Sequence, residues 1–275
     1  MSSSETSQTA PLVIAVANQK GGVGKTTSAI NLAAALVEFG ARVLLVDLDP
    51  QGNASTGLGL SQAGRKRTTY DLLMDEVPLA ECVVSTRIEG LSICPSTPDL
   101  ASADIELVSN EKRSFLLHDA LRAPNEVSLA LNFVLIDCPP SLSLLTVNAL
   151  VAADTVLIPL QAEFFALEGL SQLMLTIREV RRAANPSLRI EGVVLTMVDS
   201  RNRLSQQVEA DARATLGDLV FKTVIPRNVR VSEAPSYAMP VLTYDTASKG
   251  AEAYRALARE LLARHPLLQH DVVGQ

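Results

Sequence analysis

Runs of consecutive apolar residues alternate along the chain with stretches whose apolar positions recur at helical spacing. The strand-like runs lie at 12–17, 42–46, 91–94, 133–136, 155–159, 192–197 and 221–225. Most lack in–out alternation, the mark of strands covered on both faces, so the pattern predicts a parallel sheet between helices. Helical spacing is found at 26–39, 99–107, 112–121, 143–152, 167–184, 204–216 and 247–264. Gly40 is a plausible stop for the first helix, and Pro186 closes the long one. The expected fold class is α/β: a mostly parallel twisted β-sheet flanked by helices on both faces. With no repeat and no long linker, one domain over 12–265 is expected. The most loop-like internal region is 57–69, with Gly57, Gly59, Gly64 and the cluster Arg65, Lys66, Arg67. The polar start, 1–11, reads as a disordered tail, and 266–275 as a short C-terminal tail after Pro266 breaks the helix.

Composition narrows the picture. The 275 residues are 47% hydrophobic but only 4% aromatic, without Trp, so a large core must be aliphatic. A net charge of −6 argues against a globally basic nucleic-acid coat but leaves room for a local patch. Cys82, Cys94 and Cys138 form no closely spaced pair and suggest reduced thiols. No apolar run approaches the ~20 residues needed to cross a bilayer, and the start lacks the features of a signal peptide. A cytoplasmic protein is the expectation.

The chemistry begins between the first strand and the first helix. Residues 20–27 read Lys-Gly-Gly-Val-Gly-Lys-Thr-Thr. Strand, glycine loop and helix form the setting in which Gly-x-x-x-x-Gly-Lys-Thr becomes a phosphate site. Here Gln19 replaces the first glycine. Gly21, Gly22 and Gly24, with Val23 between them, let successive backbone N–H groups converge on one anion. The helix dipole adds positive potential there, Lys25 would reach the β- and γ-phosphates, and the Thr26 hydroxyl, followed by Thr27, would ligate Mg²⁺. The fold is therefore expected to be of P-loop NTPase type. Lys20 is either a solvated loop lysine or a second cation, badly placed for its own γ-phosphate and well placed to reach a facing subunit.

Two strands end in carboxylates. Residues 43–46 lead into Asp47, Leu48, Asp49, Pro50, Gln51 and Gly52. The C-terminal ends of parallel strands are where α/β sheets bind ligands. A capped turn at Pro50 would account for one of the two aspartates but poorly for both. Asp47 and Asp49, two positions apart, are expected to point the same way. Asp49 reads as the group orienting an attacking water, and Asp47 as support for Mg²⁺ and its waters. The second end, Phe133-Val-Leu-Ile-Asp137, has the form of a strand whose carboxylate holds Mg²⁺ through water. Pro139 and Pro140 stiffen the following loop, which could report on the γ-phosphate. Cys138 reads as a small packed residue.

The lysine placement resembles the deviant Walker A box of the ParA/MinD ATPase family, in which that lysine contacts nucleotide across a sandwich dimer. The likeness extends over about 12–260. It is most specific in Asp-Leu-Asp-Pro-Gln-Gly-Asn at 47–53, Gln-Ala-Glu-Phe-Phe-Ala-Leu-Glu-Gly-Leu at 161–170, and Ile-Pro-Arg-Asn-Val-Arg-Val-Ser-Glu-Ala-Pro-Ser at 225–236. These blocks resemble ParA-type, Soj-like partition ATPases. The resemblance implies ATP and Mg²⁺ as cofactors and an ATP-dependent homodimer. It further implies non-specific binding to double-stranded DNA and weak hydrolysis stimulated by a ParB-type partner. The location implied is cytoplasmic and nucleoid-associated, without membrane binding.

By the same resemblance, Pro226 and Asn228 are candidates for the adenine pocket, although an ordinary strand-to-loop turn would look alike. Arg201 and Arg230 match positions that bind DNA in relatives. Between 178 and 230 there are ten Arg or Lys and six Asp or Glu, a local balance of +4 in a chain of net −6. A solvated helical face remains the ordinary explanation of each single arginine. No helix-turn-helix is visible, so contacts should be to phosphates.

Three other readings compete. A MinD-like membrane-positioned ATPase should end in a basic amphipathic helix, whereas this chain ends in a short, weakly basic tail. A redox protein like the nitrogenase iron protein needs two cluster cysteines per subunit, and the cysteines do not fall in the expected loops. A nucleotide sensor without turnover would have no use for Asp49.

Overall fold

A computed structural model describes residues 10–123, 130–163 and 166–268. Most of both expected tails lies outside these residues. The strands are β1 (Leu12–Val16), β2 (Val43–Asp47), β3 (Val84–Ser85), β4 (Leu91–Cys94), β5 (Phe133–Asp137), β6 (Thr155–Gln161) and β7 (Arg189–Thr196). The helices are α1 (Lys25–Glu38), α2 (Asn53–Gly57), α3 (Thr69–Met74), α4 (Leu79–Cys82), α5 (Leu100–Glu106), α6 (Leu116–Leu121), α7 (Leu144–Ala152), α8 (Ala166–Ala183), α9 (Arg203–Leu216), α10 (Val229–Glu233), α11 (Val241–Tyr244) and α12 (Lys249–Arg264).

The strands form one sheet in the order β3-β4-β2-β5-β1-β6-β7. All pairs are parallel except β3 with β4. Alternation along each strand sends side chains to two separate cores. Val13, Ala15, Leu44, Val46 and Ile136 face one layer, with Leu145 and Ala149 of α7 and Leu173 and Ile177 of α8. Ile14, Val16, Leu45 and Leu135 face the other, with Ala29 to Leu36 of α1 and Tyr254, Leu257 and Leu261 of α12. Every residue of β2 and β5 is buried, which is why their sequences show no alternation. β5 lies between β1 and β2, and Asp47 is in register with Asp137. The order thus brings the ends of three strands together.

Three expectations need correction. The run 221–225 is not a strand. Phe221 N–H bonds to Val193 C=O at 2.9 Å and Ile225 N–H to Leu195 C=O at 2.8 Å. Between them, Lys222 and Thr223 give their N–H groups to the Glu260 carboxylate of α12, at 2.7 and 2.9 Å. A side chain has taken the donors a ladder needs. Second, α6 starts at Leu116, because residues 110–115 form turns in which Arg113 and Phe115 N–H close onto Asn110 and Lys112 C=O. Third, β3 and the short helices α2, α3, α4, α10 and α11 lie in stretches to which the hydrophobic pattern assigns no element.

Candidate active site

β1 delivers the loop 17–24 to the middle of the sheet edge. Asn18 ties its entry: Nδ2 donates to Pro159 C=O at 2.7 Å, and Oδ1 accepts from Lys20 N–H at 3.0 Å. Thr196 Oγ1 at the end of β7 donates to Val23 C=O at 2.8 Å. Gly24 precedes α1 with φ 87°, in the left-handed region where a side chain is strained. The loop therefore ends with the first N–H groups of α1 aimed outward, the geometry of an anion cradle. Thr26 and Thr27 stand in the first turn. Pro140 faces the loop, with its Cβ 3.9 Å from where one on Gly21 would stand.

The two lysines are held differently. Lys25 is 6% exposed, and its ammonium donates to Lys20 C=O at 2.9 Å. Burial lowers its pKa, while Asp137, Cys138 and Asp49 push it back up. Lys20 points away and pairs with Glu163 at 3.1 Å, both half exposed. Such a pair is worth well under ~1 kcal/mol and exchanges readily.

The carboxylates also divide. Asp47 is fully committed to protein donors. Oδ2 accepts from Ser55 N–H at 2.8 Å and Ser55 Oγ at 2.6 Å, and Oδ1 accepts from Asp49 N–H at 3.3 Å. Burial raises its pKa to about 6 against these opposing hydrogen bonds. Both oxygens of Asp137 are buried without a hydrogen-bond partner. Its pKa stands well above the ordinary value, through burial first and the charge of Asp47 next, with Thr26 and Lys25 acting the other way. An orphaned buried carboxylate beside a threonine hydroxyl has the donor chemistry that a hydrated hard cation satisfies. Asp49, 7% exposed, accepts Gln51 N–H on Oδ1 at 3.0 Å and closes a turn through Gly52 N–H to its own C=O at 2.9 Å. The expected pair thus does not act as one unit: Asp47 anchors α2, and Asp49 stands at the loop.

Residues with no motif hold this arrangement. Arg65, expected in a loose basic loop, is 8% exposed. Its guanidinium donates to Ser96 C=O at 2.8 Å, Thr56 Oγ1 at 2.7 Å and Leu60 C=O at 2.9 Å. Ser96 N–H in turn bonds to Ser55 Oγ at 3.1 Å. Gly52 (φ 60°) lies against Arg65, whose Nη1 fills the space an added Cβ would need. Arg65→Ala should destabilise the fold by about 3 kcal/mol, because three acceptors lose a buried charged donor. A urea titration checks this, and a loss below about 1 kcal/mol would make the clamp incidental. Spacing gave no signal for Arg65, Ser55 or Ser96, since the three meet only through tertiary contact.

The expected adenine and DNA residues lie together at one side. Val198 bridges to Pro226, and Arg227 N–H bonds to Val198 C=O at 3.0 Å. Asn228 Oδ1 caps α10 by accepting from Arg230 N–H and Val231 N–H, which leaves its Nδ2 as the group able to meet a ligand. Arg201 is highly exposed and pairs with Asp199 through Nε and Nη2, each at 3.1 Å. Arg230 lies between Glu233 at 3.0 Å and Asp245 at 3.2 Å. Asp199 is already within the +4 balance, but Glu233 and Asp245 lie outside the counted stretch, so at Arg230 part of that local charge is neutralised at the surface. Of the block 161–170, positions 164 and 165 lie outside the described residues.

A family model described as an AAA domain matches residues 12–190. The chain is 58% identical over 252 residues to a Caulobacter vibrioides protein named chromosome partitioning protein ParA, covering 92% of this chain and 94% of that protein. It is 51% identical to the Bacillus subtilis sporulation initiation inhibitor protein Soj, covering 91% and 98%. A Mycobacterium smegmatis structure named cobyrinic acid a,c-diamide synthase, with a bound ATP analogue and magnesium, has a TM-score of 0.79. Its sequence is 38% identical, with 96% of this chain and 97% of that chain covered. The named partition relatives do not favour the MinD-like alternative. Among the described residues, no helix is long and apolar enough to cross a membrane.

Proposed function

The chain belongs to the ParA/Soj family of chromosome-partitioning ATPases, and from that premise we propose that it binds MgATP, dimerises on it, and then binds DNA without sequence preference. A ParB-type partner stimulates hydrolysis and so releases the DNA. The observation that supports this reading best is the meeting of the glycine loop, Lys25, Asp49 and the unpartnered Asp137 at the ends of three adjacent strands.

The N–H groups of 21–27 and Lys25 hold the triphosphate. Thr26 and Asp137 hold magnesium, and Asp47 supports them from behind by fixing Ser55. Bound magnesium supplies neutralisation of the phosphate charge. Asp49 orients the attacking water, and Lys20 leaves Glu163 to meet the nucleotide of the facing subunit. Pro226 and the Asn228 amide border the adenine.

DNA affinity measured with ADP, ATP and a slowly hydrolysed analogue, with and without a ParB-type protein, tests the cycle. Equal affinity in all three nucleotide states would overturn it. Arg201→Glu with Arg230→Glu should leave ATP binding and dimerisation intact and weaken binding to unrelated duplexes equally. The slope of log K against log salt should fall by ~0.9 for each phosphate that is no longer neutralised. Anisotropy titrations at several salt concentrations read both quantities. Unchanged slope and affinity would place the DNA surface elsewhere, and preference for one duplex would end the non-specific reading.

A further inference from the structure

Two of the three cysteines, well apart in sequence, meet at the edge of the sheet. Cys82 ends α4 and Cys94 ends β4, and the chain between them turns back through the edge strand β3. β3 runs antiparallel to β4 with Val84 opposite Ile93. Continued by one residue, that register sets Val83 level with Cys94 and carries Cys82 beside it. The Cys94 thiol donates to Cys82 Sγ. Both side chains are 0% exposed and share one core layer with Leu72, Leu73 and Leu79.

The two thiols are not equivalent. The hydrogen bond from Cys94 lowers the Cys82 pKa, against the effect of burial. The same bond, with burial, holds Cys94 well above the ordinary thiol value. One sulfur is thus the readier thiolate and the other a protonated neighbour held against it, as an attacking and a resolving cysteine must be. Cys138 is set differently. Burial first, and then the charge of Asp137, pushes its pKa up, and its thiol donates to Ile136 C=O at 3.8 Å.

A buried thiol reacts only when its cover opens, and the cover here is thin. α4 is a single turn, and β3 has two residues at the outer edge of the sheet. Glu76, just before α4, lies in the left-handed region at φ 51°, a costly conformation for a residue with a side chain. A cleft of ≈ 340 Å³ lined by Leu72, Glu76, Pro78 and Leu79 opens beside the helix. A segment with so few backbone pairings opens at the low end of the native free-energy scale. Opening there admits a small solute to Cys82 and leaves the glycine loop in place.

We propose that Cys82 and Cys94 form a reversible oxidation site, which a peroxide closes to a disulfide and a small dithiol reopens. The Cys82 thiolate attacks a peroxide oxygen and the O–O bond breaks. The departing hydroxide takes a proton and leaves as water, and Cys82 becomes a sulfenic acid. Cys94 sulfur then attacks Cys82 sulfur as the S–O bond breaks, and its proton leaves with the hydroxide as a second water. Two thiols and one hydrogen peroxide thus give one disulfide and two waters, with two electrons passed from sulfur to oxygen. The new bond ties α4 across β3 to β4 and holds the sheet edge shut. A pair reduced at rest and oxidised on demand is the form that disulfides take in a reducing compartment.

The test treats the full chain with hydrogen peroxide, blocks remaining thiols by alkylation in denaturant, and maps the peptides by mass. A cross-linked Cys82–Cys94 peptide lighter by two hydrogens should form at least about tenfold faster than any oxidised form of Cys138. Dithiothreitol should reverse it, and amide hydrogen exchange over 79–94 should slow while the bond is closed. Cys94→Ser should leave Cys82 as a sulfenic acid that dimedone captures, and Cys138→Ser should react like wild type. Three alkylated thiols after treatment of wild type would overturn the proposal whether or not the variants fold. Oxidation of Cys138 ahead of the pair, or a product that dithiothreitol does not reverse, would overturn it as well.

Discussion

Lys25→Ala should bind MgATP at least about 100-fold more weakly than wild type, a loss of about 3 kcal/mol. The side chain is nearly buried, and its ammonium rests on Lys20 C=O at 2.9 Å. That interaction is local and neutral, so a triphosphate offers the ammonium a stronger acceptor without repacking. The pKa of Lys25 is lowered by burial and supported by Asp137 and Asp49. The same cation thus tempers the mutual repulsion of the carboxylates. The alanine variant has no ammonium to meet phosphate and leaves the acidic ends uncompensated, so the triphosphate enters a more negative site. Calorimetric titration with MgATP gives the affinity, and circular dichroism establishes that the variant is folded. Near wild-type affinity in a folded variant would end the assignment of this loop to phosphate.

Features carried by consecutive residues were legible in the sequence. The loop 20–27 and the strand ends at Asp47 and Asp137 depend on local order, and each lies where the pattern put it. Gly40 follows α1 as expected, with Phe39 and Gly40 N–H closing onto Leu36 and Val37 C=O. What escaped depends on meetings between distant residues. The run 221–225 has strand composition, but Glu260, 38 positions beyond Lys222, takes its donors. Arg65 reads as a solvated loop cation until Ser96, Thr56 and Leu60 close around it. Asp47 and Asp49 look like one acidic pair, and only the return of Ser55 onto Asp47 separates their roles. Glu163 lies within a block of the family resemblance, yet spacing did not suggest that it would face Lys20.

Asp137→Asn should separate the stability of the empty chain from its response to the metal. In wild type, burial and the charge of Asp47 raise the Asp137 pKa well above its ordinary 3.8. A carboxyl with a raised folded pKa favours the fold below its unfolded value. That contribution is lost as pH rises through the folded value, at about 1.4 kcal/mol per pH unit across the interval. Asparagine carries no such charge. In EDTA, the variant should therefore gain on wild type as pH rises from about 4 toward 8, with a higher Tm at pH 8 and no charge-derived difference below the unfolded pKa. MgATP should reverse the order. Wild type should gain stability by the binding term, RT ln(1 + [L]/Kd), with a cation satisfying the two orphaned oxygens. The variant should gain far less, because one neutral amide oxygen replaces the carboxylate. Thermal melts across pH, with and without MgATP, read both effects without measuring turnover. A variant less stable than wild type in EDTA at pH 8, yet equally stabilised by MgATP, would make Asp137 a structural residue and remove it from the magnesium site.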